Sequence, residues 1–404
     1  MTRRNSEVVV VPDPITDQAQ RQLTGPSLMP IAVVDNEEMD AVLGRPGVAT
    51  LAEPSTCGVT VSLTRSFGYS ALRAVVLFGG LWLLLEFVAR TPIVERSLQT
   101  PGRGVSLPML DIGLEQSERY IAEEGGVDCI FIGNSTVHRA IDPEQFRRHL
   151  DNSVGHSVRA LNLTAGGMPP AGKRILLELA MRYRPQVIVY GVSGELADLK
   201  DKQRDVAILS QNPWIQHQLG QPSILGWLVD NSRLFQYGQL FRNVADGRKF
   251  IDEFVSRRNK IQAVTRCGFV PSRRRLSEQV VKKTAFRLTD SPVSFPGLAE
   301  ILERQSQVQI VFLVMPLHDM EYVNLNTTKS EFLSRRRMLA DEVKSHAGNW
   351  WNIPTDDLPD SCWQDPRHLN ASGAAIFTRR LAERFAEAID EDSIRIRRHP
   401  KVQK

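Results

Sequence analysis

The sequence predicts an α/β protein, a parallel sheet with helices on both faces, and three observations carry that expectation. From residue 125 onward, short apolar runs alternate with segments of helical periodicity. The apolar runs are unbroken, as in strands buried on both faces, where a sheet with one wet face would show alternation. Capping and turn residues separate them.

Cys129 to Ile132 reads as the first buried strand. Asp142-Pro143 then opens a helix through Leu150: the Asp supplies an N-cap acceptor and the Pro presets the first turn. Val158 to Leu163 is a second strand, Pro170 to Tyr183 a helix with Leu176, Leu177 and Ala180 on one face, and Val187 to Tyr190 a third strand. Leu196 to Phe295 breaks this rhythm. Rich in Gln, Arg and aromatic residues, it is expected to form a mostly helical insertion. The alternation resumes with a helix at Leu298 to Gln305, a strand at Val308 to Met315, a helix at Glu331 to His346 and a short segment at Asn349 to Ile353. A C-terminal amphipathic helix closes the chain, with Ile376, Phe377, Leu381 and Phe385 along one side.

Composition narrows the class. With 42% apolar and 24% charged residues among 404, the chain is neither collagenous, coiled-coil nor wholly disordered. The net charge of +4 is largely a tail effect, since residues 395 to 404 hold five bases and no acid; nucleic-acid binding is not expected. Residues 1 to 70 carry Pro12, Pro14, Pro26, Pro30, Pro46 and Pro54 without helical periodicity, and read as a flexible, cytoplasmic tail in which Val8 to Val11 is at most a short strand. Ala71 to Ala89 (ALRAVVLFGGLWLLLEFVA) has only Arg73 and Glu86 as charges, near its ends; residues 71 to 90 are expected to be a single-pass membrane anchor, the alternative being a buried or interfacial helix. Arg65 and Arg73 before it and Arg90, Arg96 and Arg103 after it lean toward an inside N-terminus and an outward bulk. The expected division is thus tail 1–70, anchor 71–90, linker and leading helix 91–124, domain 125–390 with its insertion at 196–295, and basic tail 391–404. Cys57, Cys129, Cys267 and Cys362 match no zinc spacing, and at most Cys267 and Cys362 pair, in an oxidising compartment.

In open parallel sheets ligands sit at the carboxyl ends of the strands. The first strand ends in Gly133-Asn134-Ser135-Thr136, where the glycine permits a tight strand-to-helix turn that projects the Ser135 hydroxyl from the sheet. Alone, such a tripeptide is an ordinary polar turn. A partner lies near the C-terminus in Trp363-Gln364-Asp365-Pro366-Arg367-His368, because a serine hydroxyl needs a base and a carboxylate orients the imidazole that serves as one. Asp365 and His368, three apart on a turn opening a helix, suit those roles; alone, they read equally as a cap and a surface histidine.

Together these segments resemble the SGNH (GDSL-like) hydrolase superfamily. The nucleophile block of that family matches Gly133-Asn134-Ser135, with Asn134 in place of the usual Asp, and its final Asp-x-x-His block matches Asp365-Pro366-Arg367-His368. Its Asn-x-x-x-x-Gly block is similar to Asn162-Leu163-Thr164-Ala165-Gly166-Gly167, which makes Gly167 an oxyanion donor. Its Gly-x-Asn-Asp block corresponds to Gly191-Val192-Ser193-Gly194-Glu195, which has no Asn and leaves Ser193 as the substitute donor. The resemblance implies a three-layer, flavodoxin-like sheet and catalysis by Ser135, His368 and Asp365, with the N–H groups of Ser135 and Gly167 holding the oxyanion.

The wording IGNSTVHRAIDPEQF and DPRHLNASGAAIFTRRLAERF most resembles membrane-anchored bacterial envelope proteins that O-acetylate exported polysaccharides. The implied function is a serine esterase or O-acyltransferase on ester-linked acyl groups of such a polysaccharide, possible partners including a membrane acyltransferase. The alternative is a non-catalytic, membrane-tethered scaffold or glycan-binding component, which the missing Asn favours. No metal or cofactor is implied. His318 is a candidate substrate contact or a loop histidine, His138 is expected to be incidental on the surface, and Trp214, Trp227, Phe235, Tyr237, Phe241, Trp350 and Trp351 line a groove or, more simply, fill cores.

Overall fold

The computed structural model describes residues 63–94, 102–105, 107–155, 157–193, 195, 203–242, 247–276, 294–295 and 297–397. The expected N-terminal tail with its short strand lies almost wholly outside them. Helix α1 (Leu63–Ala89) contains the segment Tyr69–Ala89, which by length and composition is apolar enough to cross a membrane; most of its apolar side chains are exposed, with Trp82 half-buried and Ala89 buried.

The α/β layer begins with α2 (Pro108–Glu124) and continues through β1 (Cys129–Gly133), α3 (Ser135–Ala140), α4 (Pro143–Val154), β2 (Ala160–Thr164), α5 (Pro170–Met181) and β3 (Val187–Val192). Helices α6 (Gln203–Ser210), α7 (Pro213–Gln218), α8 (Ile224–Asn231), α9 (Arg233–Arg242) and α10 (Gly247–Ala263) occupy the expected insertion. Then come α11 (Leu298–Glu303), β4 (Gln309–Val314), α12 (Asp319–Asn324), α13 (Lys329–Ser345), β5 (Asn349–Asn352), the hairpin β6 (Trp363–Asp365) and β7 (His368–Leu369), and α14 (Ala371–Asp390).

The five main strands form one sheet in the order β2-β1-β3-β4-β5, with every neighbouring pair parallel. This is the doubly wound order 2-1-3-4-5, whose switch point lies at β1. Side chains along each strand alternate between two cores, as a pleat requires. Ile130, Ile132, Leu161, Leu163, Ile188 and Tyr190 face one core with Leu110 and Leu114 of α2, Leu176 and Leu177 of α5 and Val343 of α13. Cys129, Phe131, Val187, Val189, Val311 and Leu313 face the other, with Phe146 and Leu150 of α4 and Phe377, Leu381 and Phe385 of α14. There Phe131, Phe146, Phe385 and Trp351 pack edge to face in a chain, with centroids 4.9–5.1 Å apart, which adds ring-quadrupole attraction to the burial. Three layers follow from that alternation, because each face of the sheet needs its own cover.

Cys129, Cys267 and Cys362 are free and buried, so the pairing open to Cys267 and Cys362 is not made. Trp214 and Tyr237 are core residues and Trp351 is buried, whereas Trp227 is exposed and the Phe241 side chain is outside the described residues.

Candidate active site

The site stands at the carboxyl end of β1. Gly133 ends that strand and Gly191 lies opposite on β3; a Cβ on either would lie 2.4 or 2.1 Å from Val137 Cγ2. Both positions therefore need glycine so that the first turn of α3 can press against the sheet. Asn134 caps α3, its Oδ1 accepting from Thr136 N at 3.0 Å, and Ser135 is the first residue of the helix.

The hairpin β6–β7 brings the partner from the far end of the chain. His368 Nε2 is 2.9 Å from Ser135 Oγ, and His368 Nδ1 is 2.9 Å from both oxygens of Asp365. Asp365 and His368 face each other across two short antiparallel strands. This corrects the expected turn opening a helix: α14 begins only at Ala371, capped by Asn370, whose Oδ1 accepts from Ser372 N and Gly373 N. Asp365 Oδ1 also accepts from the N–H groups of Arg367 and His368. Burial alone would raise the Asp365 carboxyl; the His368 ring, the Arg367 N–H and the charge of Arg139 outweigh it and hold the group below its ordinary value. A carboxylate fixed this way keeps a proton on Nδ1 and leaves Nε2 free to take one from the serine, which is the arrangement nucleophilic acyl chemistry requires.

The three groups expected to hold an oxyanion differ in their settings. Ser135 N–H opens a helix, where backbone donors lack intrahelical acceptors. Gly167 lies exposed in the loop after β2, at φ 68°, three residues past Thr164, which pairs with Gly133. Ser193 Oγ is bound elsewhere: it donates to Asn134 Oδ1 at 3.0 Å and lies 3.0 Å from Thr136 Oγ1. The serine thereby ties the end of β3 to the cap of α3. Asn162, the first residue of its block, is buried within β2, its Nδ2 donating to the Ile141 carbonyl at 2.8 Å.

A buried ion pair underlies this network, and the sequence reading missed it. Lys173 Nζ donates to the carbonyls of Gly191 (2.9 Å) and Ser193 (2.7 Å) and pairs with Glu195, with neither side chain more than 1% exposed. Burial lowers the lysine and raises the glutamate, each opposed by the charge of the other. One signal was available: Lys173 lies on the same helical stripe as Leu176, Leu177 and Ala180, an apolar face that admits a cation only with a partner.

His138 is buried, contrary to the surface position expected. Burial, then the charges of Arg139 and His368, lower its imidazole to about 4. His318 caps α12 by accepting from Met320 N, contacts Asp360 and packs edge-on against Trp363, next to the hairpin. The insertion also borders the site. Val270 N donates to the His138 carbonyl, Leu276 N to that of Trp363 and Ala371 N to that of Ser272, so residues 270–276 join α3 to the hairpin. Among the described residues no group of three or more His, Cys, Asp or Glu could hold a metal ion.

No protein-family model matches the chain, and no curated protein does. Two of the solved structures that match it are as follows. One is a crystal structure of an acetyl xylan esterase, AlAXEase (TM-score 0.29, 11% identity, 65% of this chain and 100% of that one). The other is a carbohydrate esterase family 2 enzyme with a carbohydrate binding domain from Corynascus thermopiles (Myceliophthora fergusii) (TM-score 0.29, 12% identity, 65% of this chain and 67% of that one).

Proposed function

We infer that the protein is an SGNH-type serine esterase or O-acyltransferase acting on acyl, chiefly acetyl, esters of an envelope or exported polysaccharide. The observation that carries this is the run of contacts from Ser135 Oγ through His368 to Asp365, each at 2.9 Å. Ser135 attacks the ester carbonyl while His368 Nε2 takes its proton; the oxyanion is met by the N–H groups of Ser135 and Gly167. His368 then returns the proton to the departing alcohol, and the acyl-enzyme passes to water or to a sugar hydroxyl. Asp365 orients the imidazole and stabilises its cation. With the Ser193 hydroxyl given to Asn134, the oxyanion rests on backbone donors. The polysaccharide assignment follows from the resemblance of the two terminal blocks to envelope O-acetylation proteins.

Residues 71–90 serve as the anchor, residues 1–70 as a cytoplasmic tail and residues 125–390 as an outward catalytic domain in this reading. Protease treatment of intact cells tests the topology: the C-terminal domain should be cleaved and an N-terminal tag protected.

Activity is tested with the full-length chain in detergent, measuring acetate release from p-nitrophenyl acetate and from an acetylated polysaccharide. Release that Ser135→Ala abolishes supports the reading. A folded protein that neither releases nor transfers acetyl groups supports the non-catalytic scaffold.

A further inference from the structure

The insertion carries an apolar face that the catalytic reading does not use. Leu219 to Val229 (LGQPSILGWLV) is eleven residues without a charge. Helix α8 is capped by Ser223, whose Oγ accepts from Gly226 N at 3.0 Å. One of its faces packs on α7 at Gly226, where a Cβ would lie 2.2 Å from the Pro213 carbonyl oxygen and 2.5 Å from His217 Cβ. Away from that contact Ile224 is 83% exposed, Trp227 52% and Leu225 48%, with Leu219 also exposed in the preceding turn. The neighbouring acid, Asp230, is exposed but engaged with its own subdomain: it accepts from Trp214 Nε1 at 3.0 Å and from Gln218 Nε2 at 2.9 Å.

What covers this face follows from where the structure holds it. The corner between α8 and α9 is fastened to the end of the apolar helix α1. Arg90 donates to the carbonyl of Asn231, the last residue of α8, at 2.8 Å. Glu86 accepts from Ser232 Oγ at 2.6 Å, from Arg233 N at 2.9 Å and from Leu234 N at 3.1 Å, so a carboxylate of α1 caps α9. One turn earlier Trp82 packs against Phe235, with ring centroids 5.1 Å apart. A carboxylate three residues from the end of an apolar span is costly in lipid unless donors meet it, and this corner supplies them. Trp82 lies seven residues before Ala89, about 10 Å along the helix, which is close to the depth at which amphipathic helices rest between headgroups and acyl chains.

We propose that α8 and the turn before it lie in the membrane interface, with Leu219, Ile224, Leu225 and Trp227 inserted at the boundary of headgroups and acyl chains, so that the insertion grips the bilayer beside the anchor. The proposal rests on Tyr69–Ala89 being a membrane span. The occupant is a lipid surface because the helix that bears this face ends at a corner fastened to the anchor, and Leu219 to Val229 carry no charge. The catalytic domain is then held to the membrane at two places, and its orientation over the bilayer is fixed.

The test uses full-length protein reconstituted in phosphatidylcholine vesicles whose acyl chains carry bromine near the carbonyl end, with tryptophan emission compared against unbrominated vesicles. Bromine quenches only rings in contact with lipid. The quenched emission should fall in Trp227→Phe, fall in Trp82→Phe, and fall further in the double variant than in either alone. If Trp82→Phe lowers it and Trp227→Phe does not, α8 stands clear of the lipid or is covered by a second copy, and the proposal is overturned while the span survives. If neither substitution changes it, the span reading fails and takes the proposal with it.

Discussion

Ser135 Oγ and His368 Nε2 lie 2.9 Å apart although 233 positions separate them in the chain. Two different devices produce that closeness. Gly133 and Gly191 let α3 sink onto the sheet, which sets the serine. The hairpin β6–β7, joined to the insertion through Leu276 and Trp363, sets the histidine.

Asp365 accepts from three N–H donors at the hairpin, those of Arg367 N, His368 N and His368 Nδ1, and its carboxyl lies below its ordinary value, so it is ionised at neutral pH. Asp365→Asn keeps the shape and loses the charge and the tautomer control. The turnover of p-nitrophenyl acetate should fall on the order of a thousandfold to ten-thousandfold, with the thermal midpoint changed little.

Much of the fold was legible in the sequence because the β-α units are locally self-consistent: unbroken apolar strands, the Asp142-Pro143 cap and the α14 stripe each state their own element. The fifth strand was legible only as a short segment, since Asn349–Asn352 is polar at both ends. The hairpin was not legible, because strands of three and two residues are too short for any periodicity. The serine and its two partners could be named from their motifs, but the support beneath them could not. Lys173, Ser193 and Asn134 meet only through the tertiary packing of α5, β3 and α3.

Lys173 stands over that support. Lys173→Met leaves Glu195 buried without its cation and should cost about 3–5 kcal/mol in urea unfolding, while adding Glu195→Gln should recover most of the loss. Equal losses in the single and double variants would assign the effect to packing instead.

Gly133→Ala tests the seating of α3. Its methyl group would meet Val137 Cγ2, and such overpacking costs about 1–3 kcal/mol. Ester turnover should drop as Ser135 is displaced, and Val137→Ala in the same chain should restore both stability and turnover in part.

His138 gives the fold an acid sensitivity. Its imidazole, at about 4 in the folded protein against an ordinary value near 6.5, takes up a proton on unfolding before it does so in the native state. The unfolded chain therefore binds more protons between those values, and stability falls as pH falls through that window, by about 2 kcal/mol at pH 5 from this one group. Urea midpoints at pH 7 and pH 5 should differ less in His138→Gln than in the wild type.

A Ser135 nucleophile activated by His368 is open to covalent labelling with a fluorophosphonate probe, and peptide mapping then locates the label. The label should fall on Ser135, be absent from Ser135→Ala and form far more slowly in His368→Ala. A folded wild-type protein that stays unlabelled, or that carries the label on another residue, would contradict a nucleophilic Ser135.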